Sequence, residues 1–130
     1  MISNYEVQIE DFAETHFIKS FQKKYKTYWG ITLQSIIAEL ERIDMLLLTD
    51  KAETICDVSN IKIIKTKFKV HKTNDSAKTS GNRCIVAVHK DIGRVCILLV
   101  YGKTDLSGNN ETAQWKSLVK ENYPEYAKIC

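Results

Sequence analysis

The residues that could do chemistry are mostly basic, and they are concentrated in one segment, residues 61–103. Two aspartates, Asp75 and Asp91, oppose ten basic side chains there: Lys62, Lys65, Lys67, Lys69, Lys72, Lys78, Arg83, Lys90, Arg94 and Lys103. The segment therefore carries a net charge of +8, whereas the whole chain carries +3 and the remainder, by difference, −5. A near-neutral protein that collects positive charge in one segment presents an electrostatic field that attracts phosphate groups.

The first ten residues of this segment, 61–70, alternate in polarity and predict a β-strand, whose two faces carry alternate residues. One face should carry three apolar residues, Ile64, Phe68 and Val70. The other should carry three lysines, Lys65, Lys67 and Lys69. A lysine face of this kind either binds a polyanion or protects an exposed edge strand from pairing with other chains.

A polar stretch, residues 71–81, follows and predicts a mobile loop whose lysines, Lys72 and Lys78, can reach a polyanion. Residues 82–90 and 94–103 are two strongly β-forming runs, and the Asp91-Ile92-Gly93 sequence between them predicts a tight hairpin.

The length of the hairpin loop predicts four cross-strand pairs: His89 with Val95, Ala87 with Ile97, Ile85 with Leu99, and Arg83 with Tyr101. In this register Arg83, Tyr101 and Lys103 share a face at one end of the hairpin. The lysine face of strand 61–70 would join them on one concave sheet surface. The opposite face would pack on the N-terminal helical hairpin through Cys84, Val86, Val88, Cys96, Leu98 and Val100.

Several further elements must position these strands. Residues 5–10 predict a short strand, and an acidic cap at Asp11 begins a helix whose far side carries Lys19, Lys23, Lys24 and Lys26. Residues 27–30 break the pattern, and a second helix runs through an apolar stripe from Leu33 to Leu47. Residues 49–60 predict a loop. A capped amphipathic helix begins at Asn110, and Pro124 limits its length.

The order of these elements predicts one domain, residues 1–130, of the α+β class. A small antiparallel-rich β-sheet would pack against an N-terminal helical hairpin, as β-α-α-β-β-β with a short C-terminal helix. Four cysteines show no C-x-x-C pair and no histidine at zinc-ligand spacing, so we expect no metal site and no cofactor. No membrane-spanning run and no signal peptide are visible, and a cytoplasmic location is expected.

Three stretches carry a resemblance to a known family: residues 65–69, the run Thr79-Ser80-Gly81-Asn82-Arg83-Cys84-Ile85-Val86, and the run Cys96-Ile97-Leu98-Leu99-Val100-Tyr101-Gly102-Lys103 with Glu111 beyond. They resemble the RelE/ParE toxin superfamily of type II toxin–antitoxin systems, and most of all its RelE-type branch. The resemblance covers residues 5–120 in element order and residues 61–103 in motif detail.

The resemblance implies a toxin that cleaves mRNA without a metal on the translating ribosome. It assigns Lys67, Arg83, Tyr101 and Lys103 to catalysis, and it assigns Lys65, Lys69, Lys72 and Lys78 to RNA binding. Several RelE-type toxins have a further arginine or a histidine after the last strand, where this chain has Thr104 and Asp105. The chain is therefore either a weak nuclease or uses a lysine as the base.

The family also implies a cognate antitoxin that covers or distorts the basic site and lets the pair bind its own promoter DNA. Two other functions remain open for this scaffold. A ParE-like inhibitor would bind DNA gyrase, and a catalytically weak module of the same fold would bind RNA or DNA with a steep salt dependence.

Overall fold

The computed structural model describes residues 4–102, 105–106 and 110–129. Their strands are β1 (Glu6–Ile9), β2 (Ala52–Val58), β3 (Ile61–Phe68), β4 (Asn82–His89) and β5 (Arg94–Tyr101). They form one sheet in the order β1-β5-β4-β3-β2. Strand β1 runs parallel to β5, whereas the other neighbouring strands are antiparallel.

The helices precede and follow the sheet. The first helical segment consists of α1 (Asp11–Ala13), a π-helix (Glu14–Ile18) and α2 (Lys19–Tyr25). Two more helices, α3 (Thr27–Glu41) and α4 (Ile43–Leu46), complete the N-terminal group. The last helix is α5 (Glu111–Asn122), and a 3₁₀ turn (Pro124–Tyr126) follows it. The side chain of Asn110 caps α5 by accepting a hydrogen bond from the Ala113 amide, as its sequence predicts.

Helices cover both faces of the sheet. The N-terminal helices bury one face, including Ile64 and Val86, while Trp115 and Val119 of α5 pack on the other face with Ile63 and Ile85. The predicted α+β fold is confirmed, with a mostly antiparallel sheet against an N-terminal helical hairpin. The lysine face is nevertheless not one open concave surface, because α5 covers its centre.

A β-bulge divides the β4–β5 hairpin. At its open end the predicted pairs are found, Arg83 with Tyr101 and Ile85 with Leu99. Beyond the bulge the observed pairs are Ala87 with Cys96 and His89 with Arg94, so the predicted pairs with Ile97 and Val95 are wrong. An extra residue in one strand shifts the register by one.

The bulge also reverses which residues of β5 face the helical hairpin. Cys96 and Leu98 pack on the α5 side, contrary to prediction, and Val95 and Ile97 pack on the helical hairpin instead. The predicted orientation holds for Cys84, Val86, Val88 and Val100. Residues 95–100 are all apolar, so no break in polarity marks the bulge in the sequence.

The predicted loop over residues 49–60 is wrong, because β2 occupies most of it. A register shift between Thr54 and Cys56 breaks the alternation by which a strand is recognised. Strand β2 lies outside β3 and pairs with it, so β3 is not an edge strand. The interpretation of the β3 lysines as protection of an edge is therefore wrong.

The second predicted helix begins earlier than expected and is divided in two. The helical conformation is interrupted at Lys26, where φ is +53°. Helix α3 begins directly afterwards and runs through Gly30. Trp29 is buried with Ile36 and Leu40, so core packing outweighs the low helix propensity of glycine. A second break at Arg42 separates α3 from α4. None of the helices in the described ranges is both long and apolar enough to span a bilayer.

Tyr123 joins the C-terminal helix to the sheet, because its buried hydroxyl donates a hydrogen bond of 2.7 Å to the Leu98 carbonyl. We expect Tyr123→Phe to lower the free energy of unfolding by about 1–2 kcal/mol, since the buried carbonyl loses its donor. Urea unfolding at neutral pH measures the loss.

Tyr123 should also make the free energy of unfolding depend on pH. Burial, aided by the charge of Glu10, raises the pKa of Tyr123 above its ordinary value of 10.0. The folded state therefore holds this proton more tightly than the unfolded state does. The stabilisation is complete below pH 10 and is lost as the pH rises further, towards the pKa of the folded state. The gap in stability between wild type and Tyr123→Phe should narrow above pH 10, and a constant gap would contradict this.

Candidate active site

Three of the four predicted catalytic residues form one row across the sheet. Lys67 of β3 lies opposite Arg83 of β4, and Arg83 lies opposite Tyr101 of β5. The row lies at the end of the sheet where β3 and β5 finish and β4 begins. Directly opposed residues have Cβ atoms about 5 Å apart, so the row brings these three residues close together. The fourth residue, Lys103, lies outside the described residues.

Tyr101 is buried, with 1% of the residue exposed. Its hydroxyl donates a hydrogen bond of 2.6 Å to Oε2 of Glu111, the first residue of α5. Burial, and then this bond to a carboxylate, raise the pKa of Tyr101 well above its ordinary value of 10.0. The phenol therefore stays protonated through the neutral range, and its proton is donated to Glu111 in the hydrogen bond.

Glu111 is a member of this site to which the sequence assigned no role. Its Oε2 lies 2.6 Å from the Tyr101 hydroxyl and 3.7 Å from Nζ of Lys65. The Lys65 ammonium also lies 3.9 Å from a carboxylate oxygen of Glu53 in β2. Glu111 therefore links two predicted site residues on two strands. A partial signal was available, because the first turn of a helix favours an acidic residue, but the contact itself depends on how α5 docks on the sheet.

The Arg83 guanidinium lies against the loop between β3 and β4. Its Nη1 donates hydrogen bonds to the carbonyls of Asn82 at 2.9 Å and Ala77 at 3.3 Å, and its Nη2 donates to Lys78 at 3.1 Å. These bonds use three of the five N–H donors of a guanidinium. Arg83 thus holds the loop beside the row and keeps part of its donor set for another acceptor.

The loop itself is built from turns. Ser80 is buried, and its hydroxyl lies 2.6 Å from the Phe68 carbonyl and 2.9 Å from the Ala77 carbonyl. The same oxygen accepts a hydrogen bond from the Asn82 amide. The contacts fix the ends of the loop against β3 and β4, so the predicted loop is confirmed, whereas its mobility stays a prediction.

The predicted site lysines other than Lys103 lie on β3, directly after it, and in the loop that follows. Lys65 and Lys67 share the α5 face of β3, where the Lys65 side chain is 16% exposed and Lys67 Nζ lies 3.4 Å from the Asp50 carbonyl. Lys69 follows the end of β3, is exposed and donates to the Thr73 carbonyl at 3.1 Å. Lys72 and Lys78 are exposed in the loop. The structure thus groups Lys65 and Lys67 with Arg83 and Tyr101, and it leaves the other three lysines around them.

No cluster of three or more histidine, cysteine, aspartate or glutamate side chains within the described part of the chain could hold a metal ion. The polar groups that meet at the row are instead two ammonium groups, a guanidinium, a phenol and a carboxylate. Such a set can bind a phosphodiester and move protons near it.

A solved structure has a similar fold, although no match is found at the level of sequence. Neither a family model nor a curated protein matches the sequence. Among solved structures, a chain of the archaeal RelE–RelB complex from Pyrococcus horikoshii OT3 matches with a TM-score of 0.55. The match covers 79% of this chain and 99% of that chain, with 13% sequence identity.

The chain has a RelE-like fold. The fold recognised in the sequence is therefore confirmed. At 13% identity the likeness concerns the course of the backbone, so the role of each side chain depends on the contacts described above.

The hydrogen bond from Tyr101 to Glu111 should be measurable as a coupling energy. Hydrogen bonds to charged groups contribute about 1.5–3 kcal/mol, and a half-exposed carboxylate lowers that, so we expect about 1–2 kcal/mol. A double-mutant cycle of Tyr101→Phe and Glu111→Ala, each of which removes the bond, measures it by urea unfolding. Purely additive losses would show that the bond does not join β5 to α5 in solution.

Proposed function

We propose that this chain is the toxin of a type II toxin–antitoxin system and that it inhibits translation by cleaving mRNA on the ribosome without a metal. The RelE-like fold supports the class of protein. The observation that carries the chemistry is the row Lys67–Arg83–Tyr101, which brings two cations and an oriented phenol to one end of the sheet.

The reaction joins the ribose 2′-oxygen to the adjacent phosphorus and releases the 5′-oxygen of the next nucleotide. It leaves a 2′,3′-cyclic phosphate and a 5′-hydroxyl. Cations are needed where negative charge develops on the phosphate, and an acid is needed at the leaving oxygen. Arg83 is suited to the first role because its planar fork matches a phosphate. Lys67 is suited to the second role, since an ammonium carries protons that it can donate.

The other lysines would hold the RNA backbone. Lys65 is next to the row, whereas Lys69, Lys72 and Lys78 are exposed near it. Contacts with phosphates provide affinity that does not depend on base sequence and falls steeply with salt. Lys103, which follows the last strand, is proposed as a further catalytic cation on the resemblance alone.

The proposed partner is a cognate antitoxin, as in the solved RelE–RelB complex. Such a partner would inhibit the toxin by covering or distorting the basic site. The antitoxin is also the proposed link to operator DNA, while mRNA and the ribosome are the targets of the free toxin.

Two alternatives give different outcomes in the same assays. A ParE-like inhibitor would block DNA supercoiling by purified gyrase and leave ribosome-bound mRNA intact. A non-catalytic module would bind RNA in a salt-dependent manner and do neither. Cleavage of mRNA on programmed ribosomes, with 5′ ends mapped and 2′,3′-cyclic phosphates detected, separates the proposed function from both.

Arg83→Ala should lower the rate of this cleavage by about 10²–10³-fold, because one preorganised donor to the developing charge is lost. Arg83→Lys should remain defective, since an ammonium cannot form the same fork. Growth inhibition on induced expression should be lost in parallel.

Arg94→Ala is the matched control. Arg94 belongs to the same hairpin but lies at its other end, 3.3 Å from the Glu6 carboxylate. Circular dichroism and urea unfolding verify that each variant folds. Full cleavage by folded Arg83→Ala, or an equal loss in Arg94→Ala, would remove Arg83 from the site.

A further inference from the structure

We propose that Glu111 is the general base of this site and that Tyr101 is a positioning residue that acts through it. The inference rests on the proposed ribonuclease function. It also supplies a base for a chain that lacks the histidine that some RelE-type toxins have after the last strand.

Solvent exposure shows which of Tyr101 and Glu111 can act as the base on a substrate. Tyr101 is 1% exposed, and its hydroxyl already donates to Glu111. The Glu111 side chain, in contrast, is 44% exposed. Both contacts described for its carboxylate involve Oε2, which leaves Oε1 as the oxygen that we assign to the RNA. A substrate can therefore reach the carboxylate, whereas it cannot reach the phenol without opening the core.

The surroundings of Glu111 fix the position of its carboxylate. The Lys65 ammonium lies 3.7 Å from Oε2, and the residue begins α5. The Tyr101 hydroxyl donates to the same oxygen, and burial on β5 fixes its position. These contacts orient a carboxylate beside the row without blocking its second oxygen.

In the proposed step, Glu111 accepts the proton of the 2′-hydroxyl while the 2′-oxygen bonds to phosphorus. The bond between phosphorus and the 5′-oxygen breaks, and its electron pair stays on the 5′-oxygen, which takes a proton from the Lys67 ammonium. Arg83 stabilises the charge on the non-bridging oxygens. Afterwards Glu111 releases its proton to water and Lys67 regains one, so the site returns to its starting state.

Single-turnover cleavage of a short mRNA on programmed ribosomes tests this assignment. Glu111→Gln keeps the shape of the side chain and an oxygen that can accept from Tyr101, but it cannot take the proton. We expect a loss of about 10²–10⁴-fold, the usual contribution of a general base. Binding to the ribosome should be unchanged, and Glu111→Asp, which keeps a carboxylate, should retain part of the activity.

A substrate with sulfur in place of the leaving 5′-oxygen distinguishes a base from an acid. A thiolate departs without a proton because thiols are far more acidic than alcohols. The defect of Lys67→Met should therefore be relieved with this substrate, whereas that of Glu111→Gln should persist. Relief of the Glu111→Gln defect would make Glu111 an acid and overturn the proposal.

Two further variants complete the test. Glu53→Gln removes the other carboxylate near Lys65 and should cleave as the wild type does. Tyr101→Phe should lower the cleavage rate in the wild type but not in the Glu111→Gln background, since it acts only through Glu111. An equal loss in both backgrounds would show that Tyr101 acts independently.

The outcomes separate this inference from the function on which it rests. If the wild type leaves mRNA intact, the proposed function is wrong and the role of Glu111 is wrong with it. If the wild type cleaves and Glu111→Gln cleaves equally fast, the function stands and only the assignment of the base is overturned.

Discussion

The hydrogen bond between Tyr101 and Glu111 joins the two parts of the molecule on which the site depends. Tyr101 ends the last strand, and Glu111 begins the helix that packs on the sheet. The bond fixes where the helix starts relative to the row of cations. It also determines the chemistry available, because a buried phenol holds a half-exposed carboxylate beside Lys65.

The same arrangement explains why so polar a site can exist at the end of an apolar sheet. Trp115 and Val119 of α5 pack over the middle of one face, and the row of cations lies beyond them, at the end of the sheet. Arg83 uses part of its guanidinium to hold the neighbouring loop, so the site and the loop are fixed together. Arg83 and Tyr101 thus each have hydrogen-bond partners that also position them.

The alternation of residues in the predicted strands and the turn residues of the predicted hairpin were enough to predict a large part of this structure. The alternation in residues 61–70 was sufficient to put Lys65 and Lys67 on one face, and the hairpin was sufficient to bring Arg83 opposite Tyr101. The predictions of the β5 register and of a loop over residues 49–60 failed for physical reasons. The bulge within an all-apolar strand and the irregular strand β2 both lack the alternation that reveals a strand and its register. The contact with Glu111 depends on the docking of α5, which local sequence does not encode.

A second basic surface competes with the row as the place where RNA binds. Lys19, Lys23 and Lys24 are exposed on α2, which packs on the opposite face of the sheet. An NMR titration with a short RNA whose 2′-hydroxyls are all methylated, and which therefore cannot be cleaved, locates the bound phosphates. If the row binds RNA as proposed, the largest amide shifts occur at Lys65, Lys67, Arg83 and Glu111. Shifts confined to the α2 lysines, with none at the row, would contradict that proposal.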